Sequence, residues 1–371
     1  MAKSISPFKS TPNILSGEDA YYGLRSIEGL RGLAIISKSL SNRSQIIDNI
    51  NKHSKCSTIK YITPTWSGEP KISELHELFK SFEDFQPDLI FIVGGGGVID
   101  AVKISRILYE YPNLFAHAGS TKVVRIPTLT KTRTVIIPTT IGSGSETSSA
   151  TVIGDQDGSK MFFICDCLIA DTVILDPSTI IGLPKRIKLH TMCDALSHSI
   201  ESYISKISNP IAEDYSIWAL SKISKHWESC LKEEENLTII LEMQLASLYA
   251  GFAQNNMLVG AAHALAHAYS KYGLSHGEAN AIFLKDTIMI NSEDPQIRLR
   301  YEKLTASANI SGGLSGLQNL TSRMRDKYPL SIPKSGLIEQ DYALALNDPG
   351  GRANPRDLSV DLLKKIEKCA I

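Results

Sequence analysis

Leu89–Glu110 reads LIFIVGGGGVIDAVKISRILYE: an apolar run, then Gly94-Gly95-Gly96-Gly97, then an amphipathic stretch. A short continuous apolar run bounded by glycine suits a strand buried on both faces, and the residues after Gly97 carry helical periodicity. Strand, glycine turn and helix N-terminus together aim unpaired amides and the positive end of a helix dipole at an anion, as a pyrophosphate requires. The glycines are contiguous rather than spaced as G-x-G-x-x-G, so taken alone they suit a plain tight turn equally well.

Around this stretch the first half alternates short apolar runs with amphipathic ones. Leu33–Ile36, Ile59–Ile62 and Val135–Ile137 read as further buried strands, and Ile72–Phe82 as a helix between two of them. Such alternation predicts a parallel sheet with helices on both faces, an α/β doubly wound Rossmann-like domain. Thr151–Ile153 and Met161–Ile164 flank Asp155-Gln156-Asp157-Gly158, a hairpin signal, and Thr172–Leu175 ends in Asp176-Pro177. From Pro184 the period becomes 3.6, in Ile211–Lys232 and Leu237–Asn255 among others, with no convincing strand. The chain therefore divides into an α/β domain over residues 1–183 and an all-helical domain over residues 184–371. A second glycine loop, Pro138-Thr139-Thr140-Ile141-Gly142-Ser143-Gly144-Ser145-Glu146, follows the strand at Val135–Ile137. Its hydroxyls can donate to a phosphate or an amide while its glycines let backbone approach closely. Two such loops after successive strands place a nucleotide in the crevice at the carboxyl edge of the sheet.

With 371 residues, 43% of them hydrophobic and 21% charged, the chain is long enough for two cores. Its formal net charge of zero gives no field that would draw it to nucleic acid or an anionic membrane. The N-terminus has no apolar h-region and no apolar run approaches the roughly 18 residues that span a bilayer, so a cytosolic protein with a small-molecule partner is expected. Six cysteines without CxxC spacing suggest reduced thiols.

Metal chemistry is signalled further on. In Met192–Tyr203 (MCDALSHSIESY), Asp194 and His198 stand at i and i+4, which on a helix puts carboxylate and imidazole on one face. Gly260–Asn280 (GAAHALAHAYSKYGLSHGEAN) repeats the spacing with His263 and His267, and His276 follows after a break at Gly273. One carboxylate with several imidazoles suits iron(II) or zinc, whereas calcium and magnesium prefer oxygen shells.

From Leu89 to Leu284 these segments resemble the iron-containing (group III) alcohol dehydrogenases of the dehydroquinate-synthase-like fold. The resemblance rests on GGGGVIDAVK, PTTIGSGSE, ILDPSTIIGLP, DALSHSIESY and HALAHAYSKYGLSHGEANAIFL. It implies that Asp194, His198, His263 and His276 are the metal ligands, that the activity is reversible alcohol oxidation or aldehyde reduction with a nicotinamide coenzyme, and that the protein is a homodimer. The length, Gly68-Glu69-Pro70 and the HGEAN wording look most like the branch with 4-hydroxybutyrate dehydrogenases and phosphonoacetaldehyde reductases, which implies a small substrate, with or without an anionic tail. The chain departs from the family pattern at Gly97, where a serine is usual, at Met192, where a glycine is usual, and at Ala268-Tyr269-Ser270, beside the expected substrate pocket and usually Pro-Leu-Gly.

By the same resemblance His267 becomes the candidate proton relay. The candidate coenzyme contacts are Gly95, Gly96, Gly97, Asp100, Thr139, Thr140, Ser148 and Lys160, with Lys103 balancing charge on its own helix. In dinucleotide folds an acidic residue after an early strand bonds the ribose 2′-hydroxyl and repels a 2′-phosphate. Here Leu33–Ile36 is followed by Ser37-Lys38-Ser39, with Arg43 nearby and no carboxylate before Asp48, so NADPH is expected over NADH. The competing class is a dehydroquinate-synthase-like cyclising enzyme, which needs several basic groups for a polyanionic substrate.

Overall fold

Leu33–Ile36, Leu89–Val93 and Val135–Ile137 become strands buried on both faces between helices, whereas Ile59–Ile62, expected to be buried, forms the half-exposed edge of the sheet. The structure, a computed structural model, describes the chain apart from residues 1–7, 10–11, 18, 67, 69, 115–122, 155–159, 233–235 and 333–335. Its strands are β1 (Asn13–Ser16), β2 (Arg31–Ile36), β3 (Thr58–Ile62), β4 (Leu89–Gly94), β5 (Val123–Arg125), β6 (Arg133–Pro138), β7 (Ala150–Gly154), β8 (Lys160–Ile164) and β9 (Thr172–Leu175). Three helices, α1 (Ser44–His53), α2 (His76–Phe85) and α3 (Gly96–Glu110), lie between the early strands.

Six strands form one parallel sheet in the order β1-β9-β6-β4-β2-β3. Ala34, Ile36, Phe91, Val93, Val135 and Ile137 bury one face against Ile46 and Ile50 of α1. The alternate residues Leu33, Ile35, Ile90 and Ile92 are buried just as deeply on the other face, where α2 and α3 pack. The doubly wound reading therefore holds. The chain leaves β2 toward β3 and leaves β4 toward β6, so the winding reverses between β2 and β4, which is where such sheets bind ligands. β5, β8 and β7 make a separate three-stranded sheet, with β7 and β8 antiparallel. The turn expected at Asp155–Gly158 lies outside the described residues, as does Glu69 of the branch marker.

Among the described residues no strand follows β9. The rest is helical: α4 (Lys185–Ile204), α5 (Pro210–Lys232), α6 (Leu237–Met257), α7 (Ala261–Tyr269), α8 (His276–Asn291), α9 (Pro295–Ser307), α10 (Gly313–Arg325), α11 (Glu339–Asn347) and α12 (Val360–Ala370). α4 is buried along nearly its whole length, its polar side chains included, with α5, α6 and α8 packed on it. The described contacts cluster in two units, one of the described residues within 12–140 and 145–181, the other of those within 8–9, 141–144 and 182–371. Thus four residues of the second glycine loop, Ile141–Gly144, pack with the helices, a detail that no change of periodicity signals.

No helix among the described residues is long and apolar enough to cross a membrane. The expectation of reduced thiols fails at one place: Cys165 and Cys167 are joined in a disulfide, their Cα atoms 5.2 Å apart. That spacing is within reach of a disulfide because the chain turns sharply between β8 and β9. Cys56, Cys193, Cys230 and Cys369 are free.

Candidate functional site

In the α/β unit the four glycines divide between three roles. Gly94 ends β4, Gly95 caps α3, and Gly96 and Gly97 form its first turn. The first-turn amides of a helix have no partner within it, so this end suits an anion. The two glycine loops meet here, because Thr139 N donates to Gly94 O at 3.1 Å. Ser37 is beside them at the winding reversal: its N donates to Val93 O at 2.8 Å and its hydroxyl lies 3.2 Å from that of Ser39. Arg43 is committed elsewhere, its guanidinium donating to the carbonyls of Ser178, at 2.7 Å, and of Ile181.

The remaining coenzyme candidates support the loops from within. The carboxylate of Asp100 accepts from the Ser145 hydroxyl and from Val152 N. Burial pushes its carboxyl up, against the opposing pull of Lys103, Ser145 and Val152. Lys103 does more than balance charge: its buried ammonium donates to Ser145 O at 2.6 Å and Ser148 O at 2.9 Å, fastening the second glycine loop to α3. Burial lowers its pKa to about 8, although Asp100 and Glu146 oppose the shift. Thr139 is buried, Thr140 is half-buried, and the Ser148 hydroxyl accepts from Ala150 N. Lys160 opens β8, and its side chain lies outside the described residues.

In the helical unit, Asp194 and His198 sit one turn apart on α4, His263 on the first turn of α7, and His276 at the start of α8. One potential ligand atom from each of these four lies within 4.8 Å of the others. Nε2 of His276, His263 and His198 stand 3.3, 3.6 and 3.8 Å from Asp194 Oδ1. The opposite ring nitrogens set the tautomers. His198 Nδ1 lies 3.3 Å from Gly142 O and His263 Nδ1 lies 2.6 Å from Glu201 Oε2, so each donates outward and keeps its Nε2 lone pair for the cluster. Asn280 Nδ2 donates to Asp194 Oδ1 at 2.9 Å and approaches His276 Nε2 at 3.3 Å.

This donor set fits a transition ion. His263 Nε2 is buried without a hydrogen-bond partner among the described residues, an arrangement that costs free energy unless something else meets it. Asp194 is held well below the usual carboxylate range: burial would raise it, but His198, His276 and His263 outweigh that. Burial brings His198 down to about 4, the neutral form that a ligand must have. His263 goes the other way, up to about 9, because Asp194 and Glu201 together outweigh burial. Two buried carboxylates around one imidazole call for positive charge, which a divalent cation would supply in place of that proton.

His267, one turn beyond His263, stacks on His276 with ring centroids 5.0 Å apart, and its Nδ1 lies 2.6 Å from Asp348 Oδ2. Three contributors escaped the sequence reading. Glu201 and Asn280 carry helical-spacing signals, at i+3 from His198 and i+4 from His276. Asp348 lies 81 residues from His267 and carries none. The Ala268-Tyr269-Ser270 departure has a packing cause: Tyr269 is fully buried and its hydroxyl donates to Glu367 of α12. Met192 is likewise a core residue.

Replacing Glu201 by Gln should weaken metal retention about 10- to 100-fold, because the amide favours the wrong His263 tautomer. Competition with a chelator reads this directly, and retention equal to the wild type would remove Glu201 from the site.

Comparison with known proteins follows the same division. The family model described as "Iron-containing alcohol dehydrogenase" matches residues 12–177, and that described as "Fe-containing alcohol dehydrogenase family, C-terminal" matches residues 188–370. The chain is 26% identical over 376 residues to an NADPH-dependent butanol dehydrogenase of Clostridium saccharobutylicum, covering 95% of this chain and 96% of that one. It is 32% identical over 223 residues to a 4-hydroxybutyrate dehydrogenase of Clostridium kluyveri, covering 59% of each. In fold it is similar to an iron-containing alcohol dehydrogenase of Thermococcus thioreducens, with a TM-score of 0.87, 24% identity and 99% of each chain covered. With both halves matched in chain order, the protein belongs to the iron-containing alcohol dehydrogenase family and is an oxidoreductase acting on CH–OH groups.

Proposed function

We propose that the protein is a metal-dependent, NADPH-linked dehydrogenase that reduces a small aldehyde to a primary alcohol and runs reversibly. The convergence of Asp194, His198, His263 and His276 on one point, with the outer nitrogens of His198 and His263 engaged by Gly142 and Glu201, carries this reading. Bound there, iron(II) or zinc would supply Lewis-acid polarisation of the substrate oxygen and the reduced coenzyme the hydride. The four side chains hold and orient, and His267 carries the proton that the product alcohol gains. Gly95, Gly96, Gly97, Thr139 and Thr140 offer backbone and hydroxyl donors to the coenzyme, with Asp100, Lys103 and Ser148 keeping the loops in place. Coenzyme labelled with deuterium at C4 is the test: the label should appear at the product carbinol carbon, and label found only in solvent would sink the reading.

Of three basic side chains that could hold an anionic tail, Lys185, Arg186 and Lys271, two are neutralised. Arg186 is 2.9 Å from Glu278 and 2.7 Å from the Ser331 hydroxyl, and Lys271 pairs with the buried Asp341. We therefore favour an uncharged short aldehyde over a semialdehyde carboxylate or a phosphonate. Butanal should give a higher kcat/KM than succinate semialdehyde, and the reverse order would refute this. The reading includes a homodimer working in the cytosol, which sedimentation and fractionation would check.

The NADPH preference now rests on Ser37, Ser39 and exposed Lys38, since Arg43 is engaged by carbonyls. The NADPH dependence of the butanol dehydrogenase relative supports it. Ser37→Asp places a carboxylate where a 2′-phosphate would lie. Losing a charge-assisted contact of about 1.5–3 kcal/mol should lower kcat/KM with NADPH roughly 10- to 100-fold. A wild type preferring NADH, or a variant with undiminished NADPH efficiency, would refute the assignment.

A further inference from the structure

His267 is one of two imidazoles in its neighbourhood with a side chain open to solvent, at 18% exposure, yet one of its nitrogens is firmly held. Asp348 Oδ2 lies 2.6 Å from His267 Nδ1. The Asp348 side chain is only 5% exposed, and its other oxygen, Oδ1, accepts from the backbone N–H of Gly350 at 2.8 Å and of Gly351 at 3.2 Å. A carboxylate anchored on one oxygen by two backbone donors cannot swing away from the imidazole it meets with the other. Because an ionised carboxylate only accepts, the bond requires a proton on Nδ1, and the neutral ring then keeps its lone pair on Nε2.

We propose that Asp348 is the positioning residue of His267: it fixes the ring's orientation and its Nδ1–H tautomer, so that Nε2 is the atom that accepts and returns the proton exchanged with the substrate oxygen. The inference rests on His267 carrying that proton, as proposed above. The proton balance is simple. In the direction of alcohol oxidation, the hydroxyl proton passes to Nε2 and yields an imidazolium whose Nδ1–H stays on Asp348; in aldehyde reduction Nε2 returns it. Asp348 itself remains ionised throughout. The two donors, Gly350 and Gly351, follow Asp348 across Pro349, so the chain folds back over its own carboxylate.

Asp348→Asn separates the two duties of the side chain. Its Oδ1 can still accept from Gly350 and Gly351, while its Nδ2 faces His267 as a donor and favours the opposite, Nε2–H tautomer. Two readouts are needed. The first is the 15N spectrum of histidine-labelled, zinc-loaded enzyme, with the His267 signal assigned by its loss in His267→Gln. The wild type should show the Nδ1–H tautomer and Asp348→Asn the Nε2–H tautomer. This readout involves no turnover, so it stands or falls apart from the proposed reaction, and an Nε2–H wild type overturns the inference by itself. The second readout is kinetic: Asp348→Asn should lower kcat about 100-fold with little change in KM and with metal content intact. His267→Gln should cost as much, and the double variant no more than either single one, as expected of two groups acting as a unit. Losses that multiply in the double variant, or an unchanged kcat despite a reversed tautomer, would overturn the positioning role. Full activity in His267→Gln would overturn the proton role of His267 and this inference with it.

Discussion

His263→Ala is expected to abolish stoichiometric metal binding and to lower kcat/KM at least about 10³-fold, the equivalent of about 4 kcal/mol of transition-state stabilisation. His263 is the hinge of the donor set. Its Nε2 is 3.6 Å from Asp194 Oδ1 and its Nδ1 is 2.6 Å from Glu201 Oε2, so the truncation removes one ligand and leaves a second, buried carboxylate without its imidazole. Glu201 would keep only the backbone N–H groups of residues 262 and 263, at 2.8 and 3.4 Å. A carboxylate this deeply buried responds to such a loss by protonating or by drawing in water, and either outcome disturbs Asp194 as well. Metal analysis after dialysis, with kinetics at saturating iron(II) or zinc, gives the answer. Full metal content with full activity would show that the cluster is not the metal site.

Gly277→Val should destabilise the fold by about 3 kcal/mol or more and weaken metal retention at the same time. A Cβ at this position would stand 2.1 Å from His190 O, a backbone atom that cannot rotate away. Helix α8 begins at His276 and crosses α4 at this point, so any side chain at residue 277 pushes apart the two helices that carry His276 on one side and Asp194 and His198 on the other. Alanine should act in the same direction with a smaller effect. Thermal melting of metal-free and metal-loaded protein separates the two consequences. A valine variant that melts and retains metal as the wild type does would mean that α8 is free to shift, and that the glycine reflects no close approach.

Legibility along the chain followed the range of the interactions. β2, β4 and β6 were readable because a strand buried on both faces needs a continuous apolar run. β1 was not, since Asn13–Ser16 is short, largely exposed and held in register by β9. Asp194 with His198 could be paired from helical spacing, and the resemblance to a known family added His263 and His276 as their companions. What the spacing could not reveal was which groups had already been claimed. Arg43 looked like a free cation, yet it is held by the carbonyls of Ser178 and Ile181, brought from a distant segment. Lys103 looked like a surface charge on a helix and is instead buried against Ser145 and Ser148. Asp348 was invisible for the same reason: a carboxylate's partner is fixed by tertiary folding, and nothing local marks it.

The short excursion at Ile141–Gly144 bears on how the molecule can be dissected. Those residues pack with the helices, and Gly142 supplies the carbonyl that faces His198 Nδ1. A Cβ at Gly142 would fall 2.3 Å from Thr191 O, so the segment is wedged against the helix that bears two of the ligands. An expression fragment cut at the apparent boundary near Leu183 would therefore omit part of its own metal-site wall, leaving His198 free to flip. Shuffling the helical half onto another nucleotide-binding half carries the same hazard: the donor must bring a matching tetrapeptide in the middle of a foreign loop, or the graft arrives with one ligand unaligned.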